Sequence, residues 1–191
     1  MKSLLILILS NLFIFAHAQT STEKTTNKKG FIFGTAFGAS FINLNFEPRQ
    51  TQNEISASLP NFKIGTMISK RSALFVYLPG SIYTFNDSGR KRDRGFEGII
   101  PSFQYWIKER WYILGGVGLG MDAPAFYDIK NEEERKFYFG TTVIAGTGYE
   151  FWQKGKFAMD IQSRMHYGSV DVAEGKLNGL AFSVLIGFNW Y

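Results

Sequence analysis

The chain has 191 residues, 45% hydrophobic and 17% aromatic, with 21 basic against 16 acidic side chains and a formal charge of +5. That length suits one domain, and the absence of cysteine excludes both a disulfide framework and a thiol nucleophile. The basic residues sit in short turns and one loop and form no continuous stripe, so no nucleic-acid partner is expected.

The first 18 residues carry Lys2, an apolar run from Leu4 to Phe15 broken by Ser10 and Asn11, and then Ala16-His17-Ala18. This is the n-region, h-region and A-x-A site of a secretory signal peptide. A transmembrane helix would need ~20 apolar residues. Cleavage makes Gln19 the mature end, and no cysteine follows it to carry a lipid. Loss of Lys2 leaves 20 basic against 16 acidic residues, a charge of +4. Residues 19–29 are polar and aperiodic and read as a flexible periplasmic leader.

From 30 to 46 the sequence alternates with period two: Phe31, Phe33, Phe37 and Phe41 against Gly34, Ala36, Gly38 and Ser40. Such alternation predicts a strand with one apolar face. Residues 47–60 are polar, carry Pro48 and Pro60, and read as a long loop. Further strands are predicted over 61–69, 73–85, 96–107, 111–121, 136–152, 157–168 and 177–191. Pro79 and Gly80 signal a kink in 73–85, whose apolar residues on both faces leave its orientation open. In 136–152, Phe137, Phe139, Tyr149 and Phe151 gather at the two ends around Thr141, Val143 and Ala145, as aromatic girdles do around a hydrocarbon band.

The connections at 70–72, 108–110 and 153–156 are short, whereas 47–60, 86–95, 122–135 and 169–176 are longer and polar. Eight strands with that rhythm predict an all-β, antiparallel, up-and-down transmembrane β-barrel with short periplasmic turns and longer extracellular loops. The barrel occupies 30–191. The last strand can pair with the first, which removes the sheet edges that lipid cannot satisfy. A soluble barrel of lipocalin type alternates in the same way. However, 30–46, 73–85, 111–121 and 177–191 hold no Asp, Glu, Lys or Arg, so neither face of those strands is built for water.

The rhythm over residues 30–191, with the ending Gly187-Phe188-Asn189-Trp190-Tyr191, resembles the small outer-membrane barrels of the OmpA-domain, OmpX and OmpW type. The resemblance implies residence in the cell outer membrane among lipid and lipopolysaccharide. It also implies delivery by the barrel-assembly machinery, which would read Phe182, Val184, Ile186, Phe188, Trp190 and Tyr191; Tyr191 sets that register off by one.

Three polar groupings stand out. Asp160, Gln162, Arg164 and His166 share one face of 157–168, and with Glu150 and Glu97 they predict a polar lumen network in which Arg164 pairs with Glu150 or Asp160. His166 with Ser169 is similar to the strand-end base and nucleophile of outer-membrane lipid A deacylases, except that Gly168 stands where that family has serine. Arg90, Lys91, Arg92 and Arg94 are candidates for contact with lipopolysaccharide phosphates, or for pairing with the acidic run Glu132-Glu133-Glu134. With one histidine beyond the signal and no cysteine, no metal centre or cofactor is expected. Gly118-x-Gly120-x-x-Ala123 has the letters of a dinucleotide fingerprint, but Pro124 stands where its helix must begin. The expectation is a non-enzymatic envelope or surface-interaction protein. A lipid A deacylase, a soluble binding barrel and a small-solute pore are the alternatives.

Overall fold

In a computed structural model of the chain, residues 28–47, 50–59, 61–87, 90–173 and 175–191 are described. The expected signal peptide and residues 19–27 of the expected leader lie outside them. The elements are β1 (Phe31–Glu47), β2 (Gln50–Ser58), β3 (Asn61–Ser69), β4 (Ser72–Asp87), β5 (Arg90–Trp106), β6 (Trp111–Pro124), β7 (Tyr138–Lys154), β8 (Phe157–Val172) and β9 (Gly175–Trp190). Two single-turn 3-10 helices, Phe126–Asp128 and Glu133–Arg135, lie between β6 and β7.

All pairings are antiparallel between neighbours, and β1 closes the sheet on β9 in register from Phe33 with Trp190 to Glu47 with Lys176. The nine segments make eight staves, because β2 and β3 both pair with the same edge of β1. β3 covers its first turn, Phe31 to Thr35, and β2 covers Gly38 to Phe46. Leu59, between them, belongs to neither ladder.

β2 was expected to be loop. It stands above the apolar band, with one face exposed and the other turned to β4, so no greasy alternation marks it; Thr51, Asn53, Ile55 and Ala57 alternate with Gln52, Glu54, Ser56 and Ser58 instead. Among the described residues no backbone ladder joins β2 to β4. Side chains close that seam: Gln52 donates to the Thr84 carbonyl (2.8 Å), Ser58 to that of Gly80 (2.9 Å) and Ser56 to that of Ile82, while Glu54 accepts the Thr84 amide (3.1 Å).

The outer connections are built largely of strand as well. β4 and β5 continue as a ribbon to Asp87 and Arg90, and β8 and β9 to Val172 and Gly175. Among the described residues, only the segment after Pro124 is irregular over any length. The hairpins after β3, β5 and β7 and both ends of the described chain share the opposite end, called here the turn end.

The faces divide by parity. Outside lie Phe37 (52% exposed), Val117 (66%), Met165 (52%), Phe182 and Val184, with Trp190, Phe157, Tyr149 and Trp111 ringing the turn end. Apolar surface so continuous and unpartnered is a liability in water and a match for acyl chains. β4 resolves as Leu74 and Val76 outward and Phe75, Tyr77, Ser81 and Tyr83 inward. Inside, two apolar clusters fill the barrel. One, nearer the turn end, joins Phe75, Tyr77, Ile100, Trp106, Tyr112 and Tyr191; the other, nearer the loops, joins Ile42, Leu44, Tyr83, Phe96 and Leu177. An eight-stranded barrel has an interior that side chains just fill.

Candidate functional site

The inward face carries charge in three layers. At the turn end Glu150 is fully buried and accepts from Lys28 (2.7 Å), Trp106 Nε1 (3.0 Å) and the Tyr191 hydroxyl (2.5 Å). Lys28 also donates to the Glu109 carbonyl (3.0 Å) and rests over the Trp106 ring at 4.3 Å. Burial lowers its amine from the ordinary value, and Glu150 opposes that shift. Lys28, at the end of the segment expected as a leader over 19–29, is therefore seated in the barrel mouth.

Asp160 forms the next rung. It accepts from Tyr112 (2.7 Å), Asn189 (2.8 Å) and Gln162 (2.8 Å), and Lys63 reaches Gln104 at 3.3 Å on the facing wall. Glycine makes this crowding feasible: a Cβ at Gly148 would collide with the Tyr112 hydroxyl, and one at Gly187 with Asp160 and Gln162. The expected Arg164 pairing is corrected. Its guanidinium donates to Tyr77 (2.6 Å), Ser58 (2.9 Å) and Ser183 (3.5 Å), because Tyr112, Trp106 and Lys28 already occupy the carboxylates.

Glu97 is corrected too. It has the parity of the outward Ile99, Pro101 and Phe103, lies over Gly95 and pairs across to Met121 at the margin of the apolar band, so it takes no part in the lumen network. His166 faces in, against Phe96 at 4.7 Å, while Ser169 lies on the other face between Thr141 and Asn178. β8 runs unbroken to Val172, so no kink re-aims Ser169, and the two cannot act as base and nucleophile.

At the loop end, Arg94 and Asp122 form a buried pair, with Nε donating at 2.9 and 3.0 Å and Tyr83 donating to the same carboxylate at 2.9 Å. Arg90 is bound to Asp128 (3.0 Å) and Glu134, Arg92 lies over the Phe85 ring at 5.2 Å, and Lys91 is exposed. The basic segment thus pairs with the acidic loop, leaving Lys91 as the member of the quartet turned to solvent. The Lys130 amide and then Arg90 hold the Glu134 carboxyl below the usual carboxylate range. Phe126, 87% exposed, and Tyr127 stack edge to face at 5.7 Å on this fastened loop.

Phe182, Val184, Ile186, Phe188 and Trp190 all face outward, whereas Tyr191 turns in to Glu150 and stacks edge-on with Trp106 at 5.8 Å. The one-residue offset in the ending therefore has a structural use, as a plug of the turn end. Sequence reasoning missed Lys28, Trp106, Tyr112 and Lys63. The last was legible: it is the single charge within Asn61–Ser69 and has the opposite parity to Phe62 and Ile64.

With greasy groups outside and ions inside, the arrangement is the inverse of a soluble binding barrel. Solved structures agree. Neisserial surface protein A is similar over 85% of this chain and 99% of its own, at 15% identity and a TM-score of 0.55. The attachment invasion locus protein Ail of Yersinia pestis is similar over the same shares, at 13% identity and a TM-score of 0.52. The chain has the fold of the small outer-membrane β-barrels. No protein family and no curated protein matches its sequence; the shared fold is carried by parity and register, which tolerate exchange of almost every side chain within its class.

Proposed function

We propose that the chain is a non-enzymatic integral protein of the outer membrane that presents a rigid outer rim to partners in the envelope or at the cell surface. The observation that carries this is the filled lumen. Among the described residues two apolar clusters flank a layer of buried polar groups, as side chains that fill the narrow interior of an eight-stranded barrel do. A barrel closed in this way has its walls for lipid and its rim for recognition. At the rim, strand extensions and the Arg90, Asp128 and Glu134 ties hold Phe126, Tyr127 and Lys91 in place. Lys91 is the residue through which lipopolysaccharide phosphates would be met.

Purified protein in planar bilayers is expected to give no conductance steps, and lipid A from cells with and without it to give the same mass spectrum. Discrete channels, or a change in acylation, would overturn the reading. A photocrosslinker at Phe126 in intact cells should trap a discrete envelope partner, whereas the same probe at Glu109, at the turn end, should not.

A further inference from the structure

Arg164 is 2% exposed, and among the described residues no carboxylate lies within ion-pairing distance of it. Its acceptors are all neutral hydroxyls, those of Tyr77, Ser58 and Ser183, and its Nε has no partner. Two residues along on the same face, about 6.6 Å away by strand rise, both ring nitrogens of His166 are also without partners, though the side chain is buried. Beside them, starting at the cross-strand neighbour Ser183, runs an arc of buried serines. Ser40 is bonded to Ser183 at 2.7 Å and to Ser81 at 2.8 Å.

A desolvated guanidinium surrounded only by neutral groups is far from compensated. The neighbouring layers cannot supply the missing charge: Glu150 is committed to Lys28 and Asp122 to Arg94, while Asp160 is the main counter-charge to the buried Lys63, so among the described residues the four lumen cations Lys28, Lys63, Arg94 and Arg164 stand against three carboxylates. Water would satisfy hydrogen bonds there but would leave the charge.

We propose that the centre of the lumen holds a small monovalent anion of chloride size, bound by Arg164 Nε and a His166 ring N–H and faced by hydroxyls of the serine arc. One excess cation calls for one negative charge. The apolar clusters on both sides exclude a larger or organic anion. The Phe96 ring, 4.7 Å from that of His166, closes the site towards the loops. Held there, the ion is a structural ligand that fastens β8 to the seam, because Arg164 donates to Ser58 and Ser58 donates to the Gly80 carbonyl of β4.

The test refolds the full barrel into detergent in sodium chloride, or in sodium gluconate of equal ionic strength. Melting should rise saturably with chloride and not with gluconate. Crystals grown in sodium bromide should show one anomalous peak beside Arg164 Nε. His166→Ala, which leaves the guanidinium in place, should raise the half-saturating chloride concentration about tenfold, and Arg164→Met should abolish the response if it folds. Identical melting in the two salts, or a bromide-soaked lumen holding only water at this position, would overturn the proposal. So would a full halide response in Arg164→Met.

Discussion

The two ends of the barrel use the same chemistry in different surroundings. At the turn end Lys28 and Glu150 meet at 2.7 Å with side chains 6% and 0% exposed. At the loop end Arg90 and Asp128 meet at 3.0 Å with 30% and 27% exposed. A pair in water gives little, because solvent screens it and long side chains must be ordered. A buried pair is not strongly stabilising against an apolar replacement, yet losing one member leaves a naked charge. The turn-end ions should therefore be indispensable to folding, and the rim ions should govern only the local order of their loop.

The largest effect is expected from Glu150→Ala. It strands Lys28 together with the Trp106 indole and the Tyr191 hydroxyl, and the loss should be about 3–5 kcal/mol, measured by urea unfolding of the barrel in lipid vesicles. A loss below about 1 kcal/mol, the worth of an exposed pair, would dissolve the contrast between the two ends. Asp122→Asn sharpens it, because that carboxylate belongs to the loop end but is buried with Arg94. If burial and not position decides, its loss should be about 1.5–3 kcal/mol, the worth of hydrogen bonds to a charged group.

Glu134→Gln should leave global unfolding unchanged. It should quicken amide exchange in the segment between β6 and β7, and high salt should mimic it. The same pairing sets a pH response. Because the folded Glu134 carboxyl lies below its ordinary value, its stabilisation is complete above about pH 4.3 and fades as pH falls through the lower folded value. Exchange protection of the loop should be flat from neutral pH to that point and fall beneath it. Protection already lost at pH 6 would show that another group controls the loop.

How far this was legible in the sequence varies with depth in the membrane. Where lipid meets one face and a crowded lumen the other, parity alone places Phe37, Val184 and Arg164 correctly, since a period of two cannot slip without turning every side chain over. Above the band that contrast vanishes. Gln50–Ser58 was read as loop, and the ribbon ends of β4, β5, β8 and β9 were cut short. Glu97 failed for a narrower reason. Its charge argued for the lumen, but its parity with Ile99 held, and Gly95 left it room on the outer face at the margin of the band.

Alternation of large and small side chains is local, and it was enough to set the strand class, the inside and the outside, and closure of β1 on β9. Pairing inside the lumen is not local. Lys28 finds Glu150, Arg164 finds Ser58, and Tyr191 turns away from the lipid to reach Trp106, across sequence separations that no periodicity encodes. Those choices follow from which side chains the stagger of the staves brings to the same height, and only the closed barrel decides that.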